Sequence, residues 1–204
     1  MNSNENRTGF YPESKADLAS FWHVQARKLA SLYAPSLGLS EKEYIASLPD
    51  FDPQSDAFQG RFDIPLIVET RLPLSRYLKL AQIECNYNVW NISDWSRSKF
   101  QTPRSPYTAW VNDGTVNATR SVDNVRLTLW DDERGVTIFE GVALYLSNPA
   151  LLALGTLDFP GSQTHPEGAP SLQLYNKKPM IFDHYTNHSA LDCLPITTGI
   201  TPTR

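Results

Sequence analysis

The pattern of apolar and polar positions predicts two helices near the start of the chain. Apolar side chains between positions 18 and 32 share one helical stripe that only Gln25 interrupts, and Pro35 ends it. Ser40 and Glu43 form a capping box at the start of the second helix. Two helices with a short joint predict an αα-hairpin. A DNA-binding helix-turn-helix is the alternative, and it is disfavoured because the second helix carries more Glu than Lys.

The segment from 107 to 154 is predicted to organise the rest of the fold. Tyr107–Val111 has the aromatic and β-branched content of a strand, and Gly114 predicts a tight turn directly after it. Ser121 is placed to cap a short helix over about 122–129. A strand, a turn and a short helix are therefore expected before the main helix of this segment.

The main helix is predicted directly after Thr137. Thr137 and Glu140 form a capping box, and the apolar positions behind it lie on one helical face: Phe139, Val142, Ala143 and Leu146. Asn148-Pro149 ends the helix, because Pro disfavours the α conformation in the residue before it. A Gly inside a helix costs about 1 kcal/mol relative to Ala. The presence of Gly141 in this helix therefore indicates that another backbone approaches it closely. We expect this helix at the centre of the core, and a general-base role for Glu140 is the alternative to capping.

Strand patterns occur between the helices. Ile64–Glu69 is nearly all apolar, as in a strand buried on both faces, and Pro65 places it at a sheet edge or near the strand's start. Pro73 begins a short helix. The stretch from 87 to 92 is compatible with a further strand.

The second half of the chain completes the predicted architecture. Gly155–Gly168 is predicted as a loop, and residues 171–185 predict two strands of a late hairpin. Helices and strands mix without a regular βαβ order, so the class is α+β: a small mixed or antiparallel sheet packed against the N-terminal αα-hairpin and the central capped helix. The predicted organisation is a disordered N-terminus (1–13), a single domain (14–194) and an irregular tail (195–204).

Composition narrows the classes of protein. The formal net charge of −4 argues against a protein that coats DNA by neutralising phosphates, although it leaves a local basic patch open. The chain lacks a long apolar run and an apolar segment near Met1, so no membrane span and no signal peptide are predicted. Cys85 and Cys193 lie far apart without a metal-type spacing, which predicts reduced thiols in a cytoplasm. No cofactor is predicted, since GxGxxG, a phosphate-binding Gly loop and CxxC are all missing from the sequence.

Several motifs occur in a set order along the chain. They are Leu39-Ser40 with Tyr44, the strand Ile64–Val68, the strand from Tyr107 that ends at Asp113-Gly114, the helix Val136–Leu144 with Pro149, and the loop Gly161-Ser162. This order resembles a bacterial family, best represented in actinobacteria, that is grouped as a domain of unknown function. The late hairpin departs from the family's Trp- and Gly-rich ending and carries Asp183-His184 instead. The resemblance implies a soluble cytoplasmic α+β protein and implies no activity.

Aromatic and basic side chains interleave in the loop before the strand at 107. The predicted binding residues are Trp95, Arg97, Lys99, Arg104 and Tyr107, with Phe100 among them. Sites for single-stranded nucleic acid use this mixture, because bases stack on rings while cations follow the phosphates. A solvated loop with anchoring aromatic residues gives the same pattern, so both interpretations stay open.

Residues 183–193 hold the cluster of metal-capable side chains in the sequence. His184 and His188 are candidate metal ligands, but along a strand they lie about 13 Å apart, so a site needs a bend between them. Histidines in a loop at a sheet edge are the ordinary alternative. Ser162 lacks the second Gly of a nucleophile elbow. Paired with a histidine, it joins Asp183 and His184 as a candidate catalytic residue.

The sequence shows no catalytic constellation with coherent spacing, whereas aromatic and basic loops are present. It therefore predicts a soluble cytoplasmic binding or interaction protein, without identifying the ligand or protein partner. The alternative is a metal-assisted or Ser/His hydrolase that uses Asp183, His184 and His188. A third interpretation is a homo-oligomer that uses the late hairpin as an exposed edge.

Overall fold

The computed structural model describes residues 15–51, 53–86 and 91–200. Helices in these ranges are α1 (Lys15–Leu37), α2 (Glu41–Ala46), α3 (Leu74–Leu80), α4 (Val122–Thr128) and α5 (Ile138–Ser147). None of these helices combines the length and the apolar character needed to cross a bilayer. The predicted disordered N-terminus and most of the predicted strand at 87–92 lie outside the described residues.

Strands in the described ranges form two main sheets and a short pair. They are β1 (Ile64–Val68), β2 (Glu84–Cys85), β3 (Ser93–Asp94), β4 (Tyr107–Val111), β5 (Glu133–Gly135), β6 (Thr156–Asp158), β7 (Ser162–Gln163), β8 (Gly168–Tyr175), β9 (Lys178–Tyr185), β10 (Cys193–Pro195) and β11 (Thr197–Gly199). The first sheet has the order β1-β4-β11-β5 and is antiparallel. The second sheet has the order β10-β6-β8-β9-β2 and is mixed, with parallel pairs at both edges. Strand β3 pairs with β7. The predicted α+β class is confirmed.

Helix α5 lies in the centre of the core and contacts both β1 and β8. Thr137 Oγ1 accepts a hydrogen bond from the Glu140 N–H, and Glu140 Oε2 accepts one from the Thr137 N–H at 2.7 Å. On the second sheet, Leu157, Leu172 and Ile181 lie side by side in register and are fully buried. The predicted central helix and its capping box are confirmed.

The first two helices form the predicted αα-hairpin, and Gln25 has a defined role in it. Its Nε2 donates to the Pro65 carbonyl at 2.7 Å, and its Oε1 accepts from the Ile67 N–H at 3.2 Å. Because β1 is an outer strand, this amide satisfies backbone groups that no neighbouring strand reaches. Gln25, the one polar residue in the apolar stripe of α1, therefore satisfies the free edge of β1. The edge position predicted for this strand from Pro65 is confirmed.

Two segments predicted as irregular are strands. Gly155–Gly168 contains β6 and β7, and the tail from Pro195 contains β11, which lies inside the first sheet. Thr197 and Thr198 are fully buried there, and Asn112 Nδ2 donates to Thr197 Oγ1 at 2.6 Å. These strands are only two or three residues long, and β6 and β11 are buried along their whole length, so they carry no alternating pattern. The predicted loop and irregular tail were therefore wrong at these positions.

The late hairpin is confirmed as β8 and β9, and short strands cover part of both of its outer sides. Strand β6 lies beside β8, and β2 lies beside β9. The joining residues Asn176 and Lys177 both have positive φ, as a tight two-residue turn requires. The sequence did not predict these two flanking strands, because they are only two or three residues long. The use of the hairpin edge in a homo-oligomer stays a prediction.

Candidate functional site

The aromatic residues predicted to bind a ligand are engaged within the fold. The guanidinium of Arg126 lies 4.6 Å from the ring centre of Trp95 and donates to the carbonyls of Pro160 and Ser162. Burial lowers the pKa of Arg126 to about 10. One face of Trp95 is therefore covered by an internal cation and does not offer a free surface for stacking.

Phe100 and Tyr107 serve the same internal purpose. The Arg134 guanidinium lies 3.5 Å from the ring centre of Phe100, and the Phe100 ring is 5.8 Å from that of Tyr107. Burial raises the pKa of Tyr107 well above its usual value, so the phenol stays neutral. The predicted cations Arg97, Lys99 and Arg104 are exposed. The structure thus separates the predicted cations, on the surface, from the predicted rings, which pack inward.

The histidines pair with different carboxylates. Asp183 lies 3.3 Å from His165 Nε2 and accepts from the Thr164 hydroxyl. His184 instead lies 3.5 Å from Asp158, a partner that the sequence did not indicate. The rings of His184 and His188 meet edge to face with centres 6.0 Å apart. Although Asp158 is near His184, the described part of the chain contains no group of three or more His, Cys, Asp or Glu side chains that could hold a metal ion.

Asp158 belongs to a polar layer on the second sheet that is closed to solvent. In register, Ser171 lies directly opposite Asp158, on the same face as His184. Asp158, Ser171 and Cys193 are at most 3% exposed. Burial raises the pKa of the Cys193 thiol to about 11, which disfavours a reactive thiolate. These side chains offer a substrate no opening.

Ser162 has a structural role at the start of α5. Its Oγ accepts a hydrogen bond from the Ile138 N–H at 2.9 Å, and the residue is only 1% exposed. A helix has unpaired N–H groups in its first turn, and Ser162 satisfies one from another part of the chain. This contact explains the serine without a nucleophilic role.

Replacing Ser162 by Ala is expected to lower the free energy of unfolding by about 1–2 kcal/mol, because a buried N–H loses its acceptor. Urea unfolding followed by circular dichroism measures the change. Ser147→Ala is the matched control, since that hydroxyl lies at the other end of α5 and only donates back to the Ala143 carbonyl. Equal unfolding midpoints for the two variants contradict this role for Ser162.

A pocket of about 650 Å³ lies at the end of the first sheet, away from all of these residues. We call it the Arg61 pocket. Its main side chains are Arg61, Phe62, Asn112, Val116, Arg120 and Trp130. Trp110 also lines it, because alternation along β4 turns this ring away from Ala109 and Val111, which join the main core. The volume falls within the range of about 300–1,000 Å³ that is typical of small-molecule sites.

Arg61 forms the centre of one wall. Its guanidinium lies 5.0 Å from the ring centre of Phe62 and 4.5 Å from that of Trp130. Two parallel hydrogen bonds of 3.0 and 3.2 Å join it to Asp132, and Glu133 lies 3.9 Å away. The hydrogen bond from Arg61 lowers the pKa of Asp132, so the pair is intact at neutral pH and is lost only as pH falls through that lowered value.

Local turns hold the opposite wall. Gly114 has φ of +80°, and its N–H donates to Asn112 Oδ1 at 3.0 Å. An added Cβ there would lie 2.6 Å from Ile196, so the turn requires Gly. Asn117 Nδ2 donates to the Pro195 carbonyl at 3.1 Å. These contacts fix the backbone on either side of Val116 and leave its side chain facing outward.

Two apolar side chains of the Arg61 pocket are largely exposed. Trp130 is 66% exposed and Val116 is 68% exposed, although the smaller apolar cluster of Phe58, Phe62 and Trp110 lies beside them. Exposed apolar surface next to convergent polar groups is typical of a binding site.

A second pocket of about 670 Å³ lies between α3, β2 and the turn of the late hairpin. Its charged side chains include Lys79, Lys177 and Lys178, and Lys178 is paired with Glu84 at 2.9 Å. None of the described residues that line it is aromatic. We therefore regard the Arg61 pocket as the better candidate.

The fold and the pocket define an α+β protein with a candidate small-molecule site. Comparison of the chain with protein-family models, with curated proteins and with solved structures gives no match. The resemblance to the bacterial family stays a prediction.

Proposed function

We propose that this protein binds a small organic ligand in the Arg61 pocket. The observation that carries the proposal is the exposure of Trp130, a large ring that is 66% exposed while it lines a concave surface. Burying such a ring against a ligand contributes favourable free energy in proportion to the apolar area that is removed from water.

The pocket favours a planar ligand. Arg61 covers part of the Trp130 ring, and its bonds to Asp132 hold the guanidinium in place. A ring supported in this way keeps its orientation when no ligand is bound, so little conformational entropy is lost on binding. Aromatic groups prefer to stack on such a surface in an offset or edge-to-face arrangement.

The proposed function is still binding, as the sequence predicted, but the proposed site is the Arg61 pocket and no longer the loop at Trp95. The rings of that loop pack against Arg126 and Arg134, whereas the Trp130 ring is largely open to solvent. A reducing cytoplasm remains part of the proposal. It is supported by Cys85 and Cys193, which are both thiols.

Replacing Trp130 by Ala is expected to weaken the binding of naphthamide, an uncharged planar probe, about fivefold to tenfold, which is the usual value of one aromatic contact. Ligand-observed NMR with a concentration series measures the affinity. The variant is expected to fold, because most of the Trp130 side chain already faces solvent.

Leu127→Ala is the matched control. Leu127 is 81% exposed on the short helix α4, three positions before Trp130, but does not line the pocket. The proposal predicts that this variant binds naphthamide as the unchanged protein does. Equal weakening by both variants, or no weakening by Trp130→Ala, contradicts the proposed site.

A further inference from the structure

Arg120 differs in its partners from Arg61, which is paired with carboxylates. It donates from Nη1 to Asn117 Oδ1 at 2.9 Å, and from Nη2 to the Asn124 carbonyl and the Thr128 hydroxyl. All three acceptors are neutral oxygens. Within residues 15–51, 53–86 and 91–200, no carboxylate forms an ion pair with Arg120.

These contacts fix Arg120 and leave part of it available. A guanidinium has five N–H donors in a rigid planar fork, and three contacts occupy three of them. The remaining donors belong to a side chain that is half-buried and lines the pocket. A fixed cation without a carboxylate partner, at the wall of a cavity, can donate a charge-assisted hydrogen bond to an anionic group of a ligand.

The acidic side chains of the pocket have internal roles. Glu133 lies near Arg61, whose charge is already shared with Asp132. Asp113 Oδ1 accepts from the N–H and the hydroxyl of Thr115. Asp63 Oδ1 accepts from the Gly60 N–H at 2.8 Å. Asp63 and Asp113 are thus held by neutral donors, and Glu133 lies near Arg61, whereas the hydrogen bonds of Arg120 go to neutral oxygens.

We propose that the ligand of the Arg61 pocket is a small organic anion, in which a planar ring stacks on Trp130 and an acidic group binds Arg120. This inference rests on the proposed function and adds the chemical class of the ligand. It assigns Arg120 as the residue that selects for negative charge.

The test compares three probes with one ring system: naphthoate (anionic), naphthamide (neutral) and naphthylmethylamine (cationic). Naphthoate is expected to bind about tenfold more tightly than naphthamide, because a hydrogen bond to a charged group is stronger than one between neutral groups. Arg120→Gln is expected to abolish that preference, because it weakens the binding of naphthoate more than the binding of naphthamide. Arg120→Lys keeps the charge and is expected to retain part of the preference.

Salt dependence supplies a measurement on the unchanged protein. Added sodium chloride is expected to weaken naphthoate more than naphthamide, because salt screens a charge at the pocket wall. This result stands even if Arg120→Gln disturbs the turn that Arg120 holds.

The other outcomes show which of the two proposals fails. Equal affinity for naphthoate and naphthamide overturns the anion inference alone. Tightest binding of naphthylmethylamine also overturns it, and shows that the carboxylates dominate the pocket. If none of the three probes binds, both the proposed function and the anion inference fail.

Discussion

Replacing Glu140 by Gln is expected to lower the free energy of unfolding by about 3–5 kcal/mol, because it leaves a buried cation without its counter-charge. Glu140 is fully buried, and its two oxygens accept from Arg134 at 2.8 and 2.6 Å. Burial alone lowers the pKa of Arg134, yet the neighbouring Glu140 carboxylate outweighs burial and raises it, so the guanidinium stays charged. Chemical denaturation of the variant measures the loss.

Two variants isolate the cause of this loss. Glu43 has the same capping role in α2 but is exposed and has no buried arginine partner, so Glu43→Gln is expected to leave the unfolding midpoint nearly unchanged. Adding Arg134→Met to Glu140→Gln removes the orphaned cation and is expected to restore most of the stability. If the double variant is as unstable as Glu140→Gln alone, the buried ion pair is not the reason.

Replacing Gly141 by Ala is expected to cost about 3 kcal/mol, the upper end of the usual range for overpacking a core. An added Cβ would lie 2.1 Å from Cε1 of Phe159, and two more atoms of that ring lie within 2.5 Å. Phe159 is fully buried and has little room to move. Alanine favours a helix over glycine by about 1 kcal/mol, so the overlap has to exceed that gain. Thermal and urea unfolding measure the net effect.

A double-mutant cycle with Phe159→Leu identifies the contact. The smaller side chain is expected to make room for the new methyl group, so the cost of Gly141→Ala should shrink in the Phe159→Leu background. The same cost in both backgrounds contradicts a clash with the ring and points to another cause. The sequence indicated that a backbone approaches Gly141 closely, whereas the nearest group in the structure is the side chain of Phe159.

The parts of the fold that could be predicted from the sequence are those set by interactions between residues close together in the chain. Thr137 with Glu140, and Ser40 with Glu43, are capping boxes that a reader finds from spacing alone. The strand Thr197–Gly199 could not be predicted in this way. It is buried because Asn112 and strands β4 and β5 hold it, and nothing in these three residues indicates a strand.

The candidate site was missed because its members are far apart in the chain. Arg61 and Asp132 are separated by 71 positions and meet only when the ends of the first sheet come together. The loop around Trp95 has the denser pattern in sequence, but its rings pack inward against arginines. One feature of the sequence pointed to this pocket. Trp130 follows the short helix predicted after Ser121 and stands next to Asp131-Asp132, so a large ring lies beside two carboxylates.

The central claim is that ligands bind at the Arg61 pocket and not at the other candidate surfaces. Nitrogen–proton correlation NMR during a naphthoate titration tests it most directly, because each amide reports its own surroundings. We predict that the largest shifts fall on Phe62, Trp110, Val116 and Trp130. Shifts centred on Arg97 and Lys99, on Lys79 and Lys177, or on His184 contradict the claim and assign binding to that surface instead.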